Sequence, residues 1–135
     1  MFAGIALIAF AMLIAPLLAR PLDDRAGWVL AIAPLTAFGY FLSLVPEVAL
    51  GEVVTQRFVW VAALDVELAF RVDGLSLLFA LLISGIGTLI VLYAGAYLSD
   101  HHHLGRFYAY LLGFMAAMLG LVLADDLIAM FVFWE

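Results

Sequence analysis

The stretch that decides the fold is Leu75-Ser-Leu-Leu-Phe-Ala-Leu-Leu-Ile-Ser-Gly-Ile-Gly-Thr-Leu-Ile-Val-Leu-Tyr-Ala-Gly-Ala-Tyr-Leu98, an apolar run without a charged residue. A helix that crosses a bilayer needs about 20 consecutive, mostly apolar residues, and this run meets that length. Asp73 precedes the run, where an acid interacts favourably with the helix dipole, so we expect it to cap the helix. The run therefore predicts a transmembrane helix.

Similar apolar runs lie on either side, and together they predict a membrane protein. Of the 135 residues, 69% are hydrophobic and 12% are charged, which is far from the composition of a soluble domain. We expect a single membrane domain, an all-α integral membrane helical bundle with four full transmembrane helices and the start of a fifth. The predicted spans cover residues 2–19, 28–45, 75–98, 107–124 and, incompletely, 127–135, with a kink at Pro34 in the second.

Residues 46–73 are less apolar and separate the second and third spans. Within them, Val66-Glu-Leu-Ala-Phe-Arg-Val-Asp73 alternates apolar with mostly polar residues, which is the period of a strand. Residues 58–61 are the predicted partner strand, so we expect a short β-hairpin on the membrane surface, with Phe58 and Trp60 at the headgroups. The alternative is an irregular loop in which the alternation arises by chance.

The five arginines indicate which way the bundle faces, because the chain has no lysine. Cytoplasmic loops carry an excess of basic residues, and the two short turns hold three of the arginines but few acids. We therefore expect the short turns in the cytoplasm, the hairpin outside, and the fifth span entering from the outer face. The short turns hold Arg20, Arg25 and Arg106, and the opposite side holds Arg57, Arg71 and most of the acids.

Composition also excludes several kinds of site. The absence of cysteine excludes disulfides, thiolate metal sites and iron–sulfur clusters held by this chain. Because the formal charge is −6 and no basic cluster is present, we expect no nucleic acid partner. The glycines at 85 and 87 lie in mid-span without the lysine of a phosphate loop, so we expect no nucleotide and no other cofactor.

Small residues recur at four-residue spacing in the third and fourth spans. Such spacing lets helix backbones approach closely in lipid, so we expect these residues to pack helices together. A flexible hinge or a water-lined face is the alternative role. The residues are Ala80, Ser84 and Thr88 in the third span, and Gly113, Ala116, Ala117, Gly120 and Ala124 in the fourth.

Glu135 ends the last apolar run and is the strongest candidate for chemistry. At about 1.5 Å rise per residue, it lies some 12 to 14 Å below Asp126, near the bilayer centre. An ionisable group at that depth costs at least a few kcal/mol and usually marks ion or proton movement. We predict that Glu135 is a proton-relay acid, with its counter-charge supplied from outside residues 1–135. The alternative is a loop acid beside a short core helix.

Two polar clusters lie between spans. Asp125 and Asp126 precede the fifth span, where capping is the plainer interpretation and attraction of cations at an outer mouth is the functional one. The other cluster is a run of three histidines whose side chains point in different directions, which makes a poor metal site. We expect no metal here; a solvated turn is favoured, with proton collection as the functional alternative. This run comprises His101, His102 and His103.

Several motifs make a family resemblance specific. They are the run from Asp73 to Tyr93, then Tyr97-Leu98, Arg106-Phe107-Tyr108 and Phe133-Trp134-Glu135. Through them the chain resembles the amino-terminal part of the large A subunit of Mrp-type multisubunit Na⁺/H⁺ antiporters. That family is similar to the largest antiporter-like subunit of respiratory complex I. The resemblance is strongest from Arg71 onward, because the first two spans are generic.

The resemblance implies a long subunit of which this chain is the amino-terminal part. Such a subunit exchanges Na⁺ for H⁺ across the bacterial cytoplasmic membrane, together with other membrane subunits, and is a transporter rather than an enzyme. In that family the acid of the Phe-Trp-Glu motif serves in the proton pathway, which assigns the relay role to Glu135. The lysine partner of this acid lies on a later helix that this sequence does not include.

Two other functions stay open. In a complex I subunit or a membrane-bound hydrogenase, redox energy would drive the same kind of proton relay, and NADH-linked proton pumping would distinguish that function. The chain could also be a structural or assembly module that transports nothing. A natural carboxyl terminus at Glu135 would favour this second alternative, because the last carbonyl groups of the helix would then need a covering chain.

Overall fold

The computed structural model of this chain describes residues 1–22, 25–61, 66–97 and 104–135. Within them, four helical stretches are long and apolar enough to cross a bilayer, which agrees with the four full spans expected: Phe2–Ala19, Ala26–Ala49, Gly74–Tyr97 and Leu104–Leu123. The elements are α1 (Phe2–Leu22), α2 (Ala26–Leu30), α3 (Ile32–Ser43), α4 (Val45–Ala49), β1 (Val54–Val61), β2 (Val66–Val72), α5 (Gly74–Tyr97), α6 (Leu104–Leu123) and α7 (Leu127–Trp134).

The second span consists of three helical segments, α2 to α4, interrupted at Ala31 and Leu44. Both residues keep right-handed helical angles, so the chain continues in one direction through each interruption. Each interruption precedes a proline, which has no N–H to bond the carbonyl four residues earlier. The interruption at Ala31 lies three residues before Pro34, where the sequence predicts a kink, and the interruption at Leu44 lies two residues before Pro46, where the sequence predicts none.

Small residues bring the long helices together. α1 packs chiefly on α6 and α3, and α5 packs on α2, α3 and α6. Ala80, Ser84 and Thr88 of α5 are all buried. The hydroxyl groups of Ser84 and Thr88 donate to carbonyl oxygens one turn earlier, at 2.6 and 2.7 Å, so neither polar side chain is unpaired in the core. The expected packing role is confirmed for these three residues.

Local contacts fix the starts of α5 and α6. Asp73 caps α5: its Oδ1 accepts from the backbone N–H of Ser76 at 2.9 Å, while the Ser76 hydroxyl accepts from the Asp73 N–H at 2.8 Å. This reciprocal arrangement is a capping box, so the predicted cap is confirmed. α6 begins at Leu104, three residues before the predicted start, because Leu104 is buried and Gly105 lies directly against Pro16 of α1.

The two strands form an antiparallel sheet in which Val54 pairs with Val72 and Phe58 with Leu68. A bulge lies between Val59 and Val61. The predicted alternation of β2 decides which face is inside: Phe70 and Val72 are fully buried, whereas Arg71 is exposed. The Phe70 ring lies edge-on to the ring of Phe2, 4.5 Å away, which fastens the sheet to the start of α1.

Candidate functional site

The start of α7 is capped by Asp126. This residue has extended backbone angles (φ −136°, ψ 159°), and its Oδ1 accepts from the backbone N–H of Ala129 at 2.7 Å. The first N–H groups of a helix have no partner within the helix, and an aspartate side chain at this position supplies one. The capping interpretation of the acidic pair is therefore confirmed for Asp126.

The same turn is bonded to strand β2. The second oxygen of Asp126, Oδ2, accepts from the backbone N–H of Ala69 at 2.7 Å. In return, the Ala69 carbonyl accepts from the backbone N–H of Asp125 at 2.9 Å, and Phe70 forms a bridge with Ala124. Both backbone groups of Ala69 are thus satisfied by the segment between α6 and α7. One isolated bridge thus joins this segment to the edge of β2 that faces away from β1.

Charges of both signs surround this junction. The Arg71 guanidinium group lies 3.7 Å from the Asp73 carboxylate and 3.9 Å from that of Asp125, and Arg57 lies 3.8 Å from Glu67. These pairs are partly exposed, so each contributes little to stability, about 0 to 1 kcal/mol. An open cleft of about 570 Å³ lies beside them, lined by Arg57, Glu67, Ala69, Asp125, Asp126, Leu127 and Ile128. Its wall carries three carboxylates and one guanidinium group.

Packing against α6 fixes the other end of α7. Gly120 of α6 lies beneath the Phe133 ring so closely that an added Cβ would overlap the ring. On its other side, the Phe133 ring meets Phe70 edge-on, with ring centroids 5.8 Å apart. α7 is therefore attached at both ends, through Asp126 at its start and through Phe133 near its last turn.

Glu135 follows the last residue of α7 and continues its hydrogen bonding, because its backbone N–H donates to the Phe131 carbonyl at 3.2 Å. It lies nine residues beyond Asp126, which corresponds to about 13 to 14 Å along the helix. Its side chain is exposed on this chain. In the part of the chain that the structure describes, Glu135 takes part in none of the ion pairs, so no counter-charge for it is found there.

The structure places the predicted site residues in two locations. Asp125 and Asp126 lie at the start of α7 and Glu135 at its end, so one short helix connects them. His101, His102 and His103 lie outside the described residues. No group of three acidic or histidine side chains with a geometry suited to a metal occurs in the segments that the structure does describe.

Sequence reasoning missed Ala69 and did not single out Gly120. Ala69 contributes only backbone groups, which have no signature in the sequence. Gly120 was noted as one member of a small-residue series, without the particular ring that lies on it. A third residue, Tyr108, has a buried hydroxyl group without a hydrogen-bond partner among the described residues, close to the backbone of Gly27. In the sequence this tyrosine is notable only as part of the Arg106-Phe107-Tyr108 motif, which does not indicate that its hydroxyl group is buried.

A family model matches the middle of the chain. Residues 58–108 match the family described as NADH-ubiquinone oxidoreductase (complex I), chain 5 N-terminus. The match covers most of the sheet, all of α5 and the first residues of α6.

Curated relatives match a larger part of the chain. The Na⁺/H⁺ antiporter A subunit of Alkalihalophilus pseudofirmus is 50% identical over 112 residues, 82% of this chain. The Na⁺/H⁺ antiporter A1 subunit of Staphylococcus haemolyticus is 45% identical over 129 residues, 95% of this chain. The matched region spans only 14% and 16% of the length of these two relatives.

Solved structures share the fold. A chain of the Mrp complex from Dietzia sp. DQ12-45-1b matches 98% of this chain with a TM-score of 0.78 and 36% identity, over 14% of its own length. A chain of the membrane-bound sulfane sulfur reductase, an archaeal respiratory membrane complex, matches 98% of this chain with a TM-score of 0.71, over 21% of its own length. At 22% identity, this second likeness is one of fold alone.

Proposed function

We propose that this chain is part of a Na⁺/H⁺ antiporter subunit, because it is homologous in sequence and fold to the large A subunits of Mrp-type Na⁺/H⁺ antiporters. The chain is a multi-pass protein of the bacterial cell membrane. Its proposed role is to form one membrane part of an antiporter subunit. That subunit exchanges Na⁺ for H⁺ as one member of a complex of membrane subunits.

Within this role, Glu135 is the proton-relay acid. The position of the Glu135 carboxyl group is the observation that supports this proposal most directly. A capped helix with an apolar sequence holds the group about 13 to 14 Å from Asp126. The Phe133-Trp134-Glu135 motif, which the family resemblance assigns to the proton pathway, supports the same role.

The proposed orientation places the sheet and the start of α7 on the outer side of the membrane. Three carboxylates and one arginine line the cleft there, so its net negative charge favours the approach of cations. Both oxygens of Asp126 already accept backbone hydrogen bonds, and the Asp125 carboxylate lies 3.9 Å from Arg71, so the proposed attraction of a cation comes from the net charge of the cleft. On the opposite side, the proposed role of His101, His102 and His103 is to collect protons.

The test of this function is a Glu135→Gln variant in the complete complex. Glutamine keeps the size of the side chain but cannot carry a proton, so Na⁺-driven pH change in membrane vesicles should be lost. Glu52→Gln is the matched control, because Glu52 is an exposed acid between α4 and β1. Exchange at the wild-type rate in a Glu135→Gln complex that assembles normally would overturn the proposal.

A redox-driven proton pump is the second candidate, and one observation favours it. The family model that matches residues 58–108 is named for a subunit of complex I. A pump of that kind would move protons only when a reductant such as NADH is oxidised by the native assembly. Exchange of Na⁺ for H⁺ in vesicles without any reductant would count against this candidate and for the antiporter.

A further inference from the structure

Asp126 connects two elements that are far apart in the sequence. One carboxylate oxygen accepts from Ala129, in the first turn of α7, and the other accepts from Ala69, 57 residues earlier, on β2. Both distances are 2.7 Å, which is the range of hydrogen bonds to a charged acceptor. A cap needs only the first of these bonds. The second bond therefore calls for a separate explanation.

We propose that Asp126 is a positioning residue that fixes α7, and with it Glu135, against the extramembrane sheet. This inference rests on the proposed relay role of Glu135. The role of Asp126 is mechanical, because its carboxylate holds the start of the helix at one place on the edge of β2. The backbone bond from Asp125 to the Ala69 carbonyl supports the same junction from the other side.

The geometry of α7 explains why its start matters for its end. The helix has eight residues, and it packs chiefly against α6 and β2. A short helix moves as a rigid rod. If its start is released while Phe133 stays against Gly120, the helix pivots near Phe133, and a tilt of about 10° moves its start by roughly 2 Å and the Glu135 carboxyl group by roughly 1 Å. A misplacement of about 1 Å is enough to slow a reaction that needs its groups within hydrogen-bond reach by about 100-fold.

Two substitutions separate positioning from capping. Asp126→Ser keeps a side-chain oxygen that can cap α7, but one oxygen on a shorter side chain cannot occupy the positions of both Oδ1 and Oδ2, so the bond from Ala69 is lost. Asp126→Asn keeps the size of the side chain and replaces one acceptor oxygen with an NH₂ group that cannot accept a hydrogen bond. Asp73→Ser is the matched control, because it makes the same change at the cap of α5, a helix that does not carry Glu135.

The experiment uses the complete antiporter complex in vesicles. It records the rate of Na⁺-driven proton movement as a function of pH, together with the amount of assembled complex. In Asp126→Ser and Asp126→Asn we expect the rate to fall at least about tenfold, with a shift in the pH of half-maximal exchange. Asp73→Ser should keep the wild-type pH profile. A loss of assembly alone would lower the signal without moving the profile, and that result would overturn the positioning role.

Wild-type complex supplies a test that does not depend on any variant folding. Hydrogen exchange resolved to single residues should show the Ala69 and Ala129 amides protected together, because both donate to the same carboxylate. Free exchange at Ala69 would overturn the inference. So would Asp126 variants that exchange faster at Ala69 yet keep the wild-type transport rate and pH profile.

The outcomes also separate this inference from the proposed function. If Glu135→Gln abolishes exchange while the Asp126 variants transport normally, the relay stands and only the positioning role fails. If Glu135→Gln transports normally, the relay itself fails, whatever the Asp126 variants do.

Discussion

At Gly120 the Phe133 ring of α7 lies directly against the backbone of α6. The Phe133 ring occupies the space that a side chain at this position would need. Because Phe133 lies two residues before Glu135, the absence of a side chain at Gly120 helps to determine where the proposed relay acid lies. The small-residue pattern of α6 thus has a specific partner at this position, beyond close packing in general.

Substituting Gly120 tests this close approach. In Gly120→Ala the new methyl group would overlap the Phe133 ring, and we expect a loss of stability of about 1 to 3 kcal/mol. Gly39→Ala is the control, since among the described residues nothing beyond the neighbouring backbone of its own helix lies within 4 Å of a Cβ at that position. Unfolding of the complete subunit in detergent would measure both. Equal stability of the two variants would contradict the packing described here.

Asp73 makes a pH-dependent contribution to stability. Hydrogen bonds from the backbone N–H and the hydroxyl group of Ser76 lower the pKa of this carboxyl group, and the charge of Arg71 lowers it further. A lowered folded-state pKa means that the carboxylate stabilises the fold above the unfolded value of about 3.9 and ceases to do so as the pH falls through the folded value.

The consequence is measurable by acid titration. As the pH is lowered from about 5 to about 3, wild-type subunit should lose more stability than Asp73→Asn, which caps α5 without titrating. Thermal unfolding in detergent across this range would give both curves. Parallel curves would show that the cap does not depend on the charge of Asp73.

At the scale of elements, the sheet is fastened to the bundle by one of its two faces. Phe70 is fully buried between Phe2 and Phe133, whereas Arg71, on the other face of β2, is exposed. Phe58 lies on the same face as Phe70 but at its margin, where it contacts Phe2 and is 55% exposed. The sheet therefore contacts both the first helix and the helix that carries Glu135. The sheet, which belongs to none of the predicted spans, thus links α1 and α7, which lie at opposite ends of the sequence.

The two phenylalanines provide a matched pair of substitutions. Phe70→Ala should cost about 3 to 5 kcal/mol, because it leaves a cavity between α1 and α7. Phe58→Ala removes the same side chain from a half-open site and should cost much less. The measurement is the free energy of unfolding of the complete subunit in detergent. Similar costs for both would mean that the sheet is not seated through Phe70.

At the scale of the whole molecule, the sequence predicts the spans well and the junctions poorly. Apolar runs identify the four long helical stretches, because a helix that crosses a bilayer must be long and hydrophobic and both properties can be read directly from the sequence. The alternation in residues 66–73 identifies β2 for a similar reason. The contact of β2 with the start of α7 is not visible, because Ala69 takes part through its backbone alone. The capping role of Asp126 is predictable, and its second bond is not.

The proposed orientation of the molecule can be tested by cysteine labelling. Residues 1–135 contain no cysteine, so an introduced cysteine is the one thiol in this part of the subunit, and labelling of the subunit without it serves as the background. Glu52→Cys, beside the sheet, should react with an impermeant thiol reagent added to intact cells. Arg25→Cys, at the opposite end of the bundle, should react only after the membrane is opened. The reverse pattern would invert the proposed orientation.

The central claim is that Glu135 carries a proton during exchange, and reconstituted complex tests it most directly. Purified complete complex in vesicles, driven by a Na⁺ gradient, would report proton movement in Glu135→Gln and Glu135→Asp. We expect loss of exchange in Glu135→Gln and partial activity in Glu135→Asp, which keeps a titratable group on a shorter side chain. Wild-type proton movement in fully assembled Glu135→Gln complex would contradict it.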